Sequence, residues 1–157
     1  MRPLTLTPRL LAVASFIRPT DRVLDIGTDH ARLPVYLMEH GLCASVTAAD
    51  IAEGPLARAA RTVRTHRLES KIPLLLNNGA VGLNPDDYDA VTITGMGGDT
   101  ILSILEKSPW LREKRLILQP QTRTIYFADM PGITVSEGRR QYMIFTQGVA
   151  YDDSQRH

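Results

Sequence analysis

The sequence predicts an α/β fold, a mostly parallel sheet between two helical layers with a C-terminal antiparallel hairpin. Apolar strand-like runs alternate with helical patterns from Arg22 to Leu118, which is the signature of parallel strands joined by crossovers. Each run ends in Asp, Gly, Asn or Gln. Beyond Pro120 the alternation gives way to two β-rich runs around a short polar segment, which reads as a hairpin and not another crossover.

Thr7 followed by Pro8 is an N-cap and first-turn pair, and Leu10, Leu11, Ala14 and Ile17 then recur at helical spacing. Leu10, Leu11 and Ile17 are expected in the core. Arg22 to Ile26 is a short strand entering a glycine turn, and Leu33 to His40 is the helix leaving it, stopped by Gly41. Ala44 to Ala49 makes a second strand ending at Asp50. The next helix runs from Pro55 to Arg67, with Leu56, Ala60 and Val63 inward. Ile72 to Leu76 forms a third strand, followed by Asn77, Asn78 and Gly79. Tyr88 to Thr94, nearly continuous in β-branched residues, is a strand buried on both faces. Gly95 to Gly98 form the turn after it, and Asp99 caps a helix from Thr100 to Lys107. Arg115 to Leu118 is a fifth strand, cut off by Pro120. Ile133 to Ser136 and Tyr142 to Gln147 are the arms of the hairpin.

At 157 residues with 43% hydrophobic content the chain forms a single domain, residues 1–157, able to bury roughly two-thirds of its unfolded surface. The net charge of +1 creates no global field toward nucleic acid or membrane, so any polyanion must be met by a local patch. Cys43 is the sole cysteine, and His30, His40, His66 and His157 lie in no metal-ligand spacing. No metal is expected, and a reducing, cytoplasmic setting is. The apolar segment Leu10 to Ile17 is far short of the ~20 residues of a membrane span.

The stretch from Val23 to Pro34, VLDIGTDHARLP, carries the most chemistry. Such a β/α turn points backbone N–H groups and a helix N-terminus at a ligand above the strand. A pyrophosphate-binding turn needs G-x-G-x-x-G; here only Gly27 is present, Asp29 stands near the place of the second glycine, and Ala31 lies two residues further on. A carboxylate at Asp29 opposes a diphosphate, which disfavours a nicotinamide-dependent dehydrogenase. It suits a ligand with an amino group and a sulfonium charge, such as S-adenosylmethionine. The other strand ends extend this reading. Asp50 follows Gly27 by about two dozen residues, near the spacing of an acid that accepts ribose hydroxyls. Asn78 is placed to meet an adenine edge, and Asp25 and Asp29 to face the amino group, while the backbone around Gly27 takes the carboxylate.

Together, DIGTDHARLP, the GMGG at residues 95–98 and the LILQP at residues 116–120 resemble the bacterial tRNA adenine-N1 methyltransferases of the TrmK type, which modify adenine 22 of tRNA. The resemblance runs from about Thr5 to Pro120 and implies a class I methyltransferase fold, a Rossmann-like three-layer sandwich, with S-adenosylmethionine as cofactor and tRNA as partner. It implies cofactor roles for Asp25, Gly27, Asp29, His30, Asp50, Asn78, Gly79 and Gly95, and substrate-facing roles for Met96, Gly97, Gly98, Gln119 and Pro120. Members usually carry a helical C-terminal extension that helps hold tRNA; this chain stops soon after its last strand, and a partner chain replacing those helices is one expectation. An Asn commonly follows the Gln-Pro pair, where this chain has Gln121.

Attack by N1 of adenine on a sulfonium methyl needs no strong base, only placement and a group that steadies the exocyclic amine and relieves the cationic product. Asp29 and Asn78, then His30, are the candidates. Tyr126 or Phe127 offers a stacking surface for an extruded base. Arg58, Arg61, Arg64 and Arg67 form a basic stripe, readable as a solvated face or as a phosphate-binding patch. The competing reading of the whole is a non-catalytic or partner-dependent module that binds S-adenosylmethionine.

Overall fold

A computed structural model describes residues 3–149; His157 lies outside them. One seven-stranded sheet runs in the order β3-β2-β1-β4-β5-β7-β6. Strands β1 (Arg22–Ile26), β2 (Ser45–Asp50), β3 (Leu74–Leu76), β4 (Ala90–Gly97) and β5 (Arg115–Thr122) are mutually parallel. The hairpin β6 (Gly132–Glu137) and β7 (Arg140–Gln147) joins antiparallel through β7 to β5. Strand order reverses between β1 and β4, so a crevice opens above their carboxyl ends.

The central strands are buried on both faces, and successive side chains point to opposite sides of the sheet, which divides the core in two. Val23, Val46 and Ile117 pack with Val13, Phe16, Leu37 and Val63 under α1 (Pro8–Ala14), α2 (Arg32–Glu39) and α3 (Glu53–Thr65). Leu24, Ile93, Leu116 and Leu118 pack on the opposite face with Ile101 and Leu105 of α4 (Gly98–Lys107) and with Leu111 and Phe127. The three-layer sandwich expected from the sequence is therefore present, its second face covered by one α-helix and two 3-10 turns.

Several local expectations are corrected. Helix α1 ends at Ala14, so only its last turn reaches the sheet, and Leu11 is 43% exposed instead of core. Thr7 holds the N-cap position without a side-chain bond. On α3 the buried residues are Ala59 and Val63; Leu56 and Ala60 are only half-buried. Strand β4 does not stop at Thr94. It continues through Gly95 and Met96 to Gly97, with register shifts against β5 that mark a bulge. Gly97 is the N-cap of α4, and Asp99 sits in the first turn instead of capping it. Strand β5 likewise runs past Pro120 to Thr122. Proline is tolerated there because β7 pairs only Leu116 to Leu118 and β4 bulges opposite Pro120.

At the amino ends of the strands, ion pairs lock the sheet. Both terminal nitrogens of Arg115 donate to the buried Asp21 carboxylate, and one also reaches the Phe16 carbonyl at 2.9 Å. Arg22 forks onto Asp89 at 3.0 and 3.1 Å, a bidentate geometry that holds Asp89 at about 2, below the usual carboxylate range.

Candidate functional site

The turn after β1 is held from beneath. The N–H groups of Gly27 and Thr28 both donate to the Ala49 carbonyl, at 2.8 and 3.0 Å, and the Asp29 N–H donates to the Asp50 carboxylate at 3.1 Å. Gly27, Asp29 and Ala31 all take left-handed conformations, with φ of 74°, 53° and 56°. Asp29 thus supplies the backbone shape of the missing second glycine while adding a charge. Left-handed backbone at Asp29 and Ala31 costs of order 1 kcal/mol each and persists where surrounding bonds over-determine it.

Asp25, the penultimate residue of β1, is almost fully buried, 3% exposed, and its two oxygens accept from Thr28 Oγ1 at 2.8 Å and Thr92 Oγ1 at 2.6 Å. Burial, and secondarily the charge of Asp50, outweighs these donors and pushes its carboxyl up to about 6. At the end of β2, Asp50 accepts from the N–H groups of Asp29 and Ala52, leaving lone pairs on both oxygens. The Asp29 carboxylate projects outward, 60% exposed, and accepts from Arg58 Nη2 at 3.1 Å. The Asn77 amide donates to the Gly79 and Val81 carbonyls at 2.8 and 3.2 Å, bracing the loop that carries Asn78.

These strand ends enclose a cleft of two lobes. One, about 330 Å³, lies between the loop after β3 and helix α4. Its walls are largely apolar, with Ile26, Ile51, Ala80, Val81 and Ile104 beside Asn78 and Gly79. The other, about 510 Å³, lies above β1 and β4 and gathers Asp25, Asp29, His30, Arg32, Asp50 and Gln121. Gly27 and Met96 line both lobes. The Met96 side chain lies across the boundary: a Cβ built on Gly27 would stand 2.0 Å from Met96 Cε.

Asp25, Gly27, Asp29, His30, Asp50, Asn78, Gly79 and Gly95 all line the cleft. Asn78 is in the apolar lobe while Asp29 and His30 are in the polar one, so the proposed catalytic trio is not brought together. Of the substrate-facing set only Met96 lines the cleft. Gln119 is 0% exposed, and its amide is spent on the backbone, accepting from the Gly95 N–H at 3.1 Å and donating to the Pro120 carbonyl at 3.3 Å. It braces the β4 bulge. Pro120 is buried in β5. Gly97 and Gly98 pack on the end of β5, where a Cβ on Gly98 would come within 2.6 Å of the Thr122 carbonyl oxygen. Phe127, offered as a stacking surface, is 1% exposed in the core against Phe145, whereas Tyr126 is 41% exposed.

Sequence reasoning passed over two contributors. Gln121, noted only as a departure from a pattern, lines the polar lobe because β5 outruns Pro120. Arg9 lines it because Glu137 of the hairpin accepts its N–H at 2.7 Å and Tyr142 stacks under its guanidinium at 4.9 Å. Neither position carries a local motif.

The profile of the family described as "Methyltransferase domain" matches residues 6–129. The chain belongs to this family. This methyltransferase domain is 36% identical over 131 residues to the tRNA (adenine(22)-N(1))-methyltransferase of Bacillus subtilis strain 168, covering 82% of this chain and 55% of that protein. It thus spans about half the length of that curated relative. The crystal structure of the B. subtilis m1A22 tRNA methyltransferase TrmK superposes with a TM-score of 0.85 at 30% identity, over 92% of this chain and 66% of that one. A Streptococcus pneumoniae protein crystallised in complex with S-adenosyl-L-methionine superposes with a TM-score of 0.81 at 36% identity, over 90% of this chain and 72% of that one. The resemblance to the TrmK type read from three short motifs is borne out over most of the chain, and with it the Rossmann-like methyltransferase fold. Among the described residues no helix is long and apolar enough to cross a membrane.

Proposed function

We propose that this chain binds S-adenosylmethionine across the two lobes and methylates N1 of an adenine in tRNA. The observation that carries the reading is the different character of two lobes that meet at Gly27, one with the more apolar walls and charges only at Asp99 and Lys107 on the α4 side, the other gathering three carboxylates. An uncharged base suits apolar walls with an amide at the edge, and an ammonium group suits a lobe whose floor and rim carry Asp25, Asp29 and Asp50. The relatives named above supply the cofactor class and the target class.

Asn78, Ile51 and Val81 hold the adenine end in this reading, and Asp50 accepts from the ribose hydroxyls. Asp25 and Asp29 attract the amino group, and the turn at Gly27 lets the chain between the lobes lie close to backbone. When bound, the cofactor supplies an electrophilic methyl group on sulfonium. The task left to the protein is placement of the attacking nitrogen at roughly 3–3.5 Å and in line. The end of β4 at Gly95 and Met96, with Gln121, forms the polar-lobe wall against which the target adenine packs. Asp29 and His30 lie at the rim, where a carboxylate relieves the positive charge that N1 acquires. Asn78, expected in both cofactor binding and catalysis, keeps only the cofactor role because it sits in the other lobe. A tRNA substrate also implies a cytoplasmic location.

Titration calorimetry with S-adenosylhomocysteine, followed by incubation with labelled cofactor and unmodified tRNA, tests the proposal. Saturable binding and label recovered as N1-methyladenine are expected, with Asp29→Ala slowing transfer at saturating cofactor. Binding without transfer to any tRNA makes the chain a cofactor-binding module; no binding at all overturns the reading.

A further inference from the structure

Next to the polar lobe, and sharing His30 and Arg32 with it, lies a groove of about 380 Å³ whose lining contains Arg58, Arg61, Thr62 and His66 and, among the described residues, no carboxylate. Three guanidinium groups therefore come from two helices: Arg32 from the first residue of α2, and Arg58 and Arg61 from successive turns of α3. Arg58 pairs with Asp29 at 3.1 Å, and His66 with Glu39 at 2.9 Å. Arg32 and Arg61 are exposed and have no acidic partner within 4.0 Å among the described residues. Arg64 and Arg67, which continue the stripe in the sequence, do not line the groove. The fold thus splits the stripe into a pair that joins Arg32 beside the cleft and a pair that does not.

We propose that the groove between α2 and α3 holds the RNA phosphodiester backbone next to the nucleotide whose base enters the cleft. The inference rests on the tRNA reading above and adds which cations serve it. With a net charge of only +1, the chain has no global field to gather a polyanion, so a local concentration of unpaired arginines must do so. Guanidinium presents a planar fork of donors that suits phosphate oxygens. An extruded base remains tied to phosphates on either side, so backbone contacts belong at the rim of the pocket that takes the base, and the shared residues His30 and Arg32 put the groove at that rim. Arg58 links the two regions, since the same side chain reaches the groove and holds Asp29.

The test compares Arg61→Glu with Arg64→Glu, two exposed positions one turn apart on α3 and both outside the two lobes. Both variants are expected to keep the wild-type melting temperature and the wild-type affinity for S-adenosylhomocysteine. Binding of an unmodified tRNA transcript, measured over a salt series, is expected to weaken several-fold for Arg61→Glu with the slope of log K against log salt falling by about 1, and to change little for Arg64→Glu. Equal losses for the two variants, or no loss for Arg61→Glu while wild type binds tRNA, overturn the groove and leave the tRNA reading standing. Failure of wild type to bind tRNA overturns both. Inorganic phosphate is titrated in parallel; phosphate binding that disappears in Arg61→Glu while tRNA binding persists assigns the groove to a free anion and also overturns the proposal.

Discussion

The two rims of the sheet use charge in opposite ways. At the amino ends of the strands the buried and half-buried acids are answered, Asp21 by Arg115 and Asp89 by Arg22, in bidentate contacts that add nothing to a cleft. At the carboxyl ends, Asp25 is buried on two hydroxyls with no ion-pair partner among the described residues, Asp50 braces backbone, and Asp29 stands 60% exposed on a left-handed residue with a single Arg58 nitrogen at 3.1 Å. Both rims are acidic in sequence. The difference teaches that an acid at a strand end reports function when its charge is left incompletely answered, and reports architecture when a guanidinium closes on it with two nitrogens.

Breaking the lower rim produces the largest effect. Arg115→Ala strands the Asp21 carboxylate at 3% exposure, and its removal is expected to cost about 3–5 kcal/mol in chemical denaturation, while the affinity of the folded fraction for S-adenosylhomocysteine stays at the wild-type value. At the upper rim, Gly27→Ala introduces a Cβ at φ 74°, a strain of roughly 1–2 kcal/mol; because that Cβ also meets Met96 Cε at the junction of the lobes, calorimetry is expected to show loss of cofactor binding out of proportion to the lost stability.

Asp25 sharpens the contrast through pH. Its carboxyl titrates at about 6 in the folded chain against 3.8 unfolded, so the native state binds the extra proton between these values. Wild-type stability is therefore expected to fall as pH rises from about 4 to about 6, the reverse of a salt-bridged acid, and Asp25→Asn is expected to flatten that slope in melts across the range. An ammonium-bearing ligand favours the ionised form, so cofactor affinity is expected to climb over the same interval in wild type only. Met96→Ala carries the smallest effect. It removes a flexible side chain from the boundary between the lobes, and is expected to speed cofactor association in stopped flow; because Met96 is only half-buried, the loss of stability is expected to stay below the roughly 2–5 kcal/mol of a fully buried Met→Ala truncation.

Much of this was legible in the chain. The strand from Arg22 to Ile26 has the same bounds in sequence and structure, because a short apolar run that contains an acid and is stopped by Gly27 leaves little freedom for its ends. The hairpin was legible because Gly138 and Arg139 interrupt two β-rich runs. The glycines at 95, 97 and 98 misled, since they read as a turn while the tertiary structure uses them to bulge a strand and to let α4 meet the end of β5. Gln119 misled in a related way. A polar residue near a strand's end signals chemistry or backbone bracing equally, and only its 0% exposure and its bonds to Gly95 and Pro120 separate the two.

By itself, then, the sequence determined the layered α/β plan, the chemistry-bearing ends of the parallel strands and the family resemblance, because periodicity, turn residues and local motifs act over a few neighbouring positions. The tertiary structure alone decided that Asn78 and Asp29 belong to different lobes, that Met96 lies over Gly27, and that Arg58 and Arg61 join Arg32 while Arg64 and Arg67 do not. Those relations join residues distant along the chain, and they depend on how helices pack over a twisted sheet, which no local pattern records.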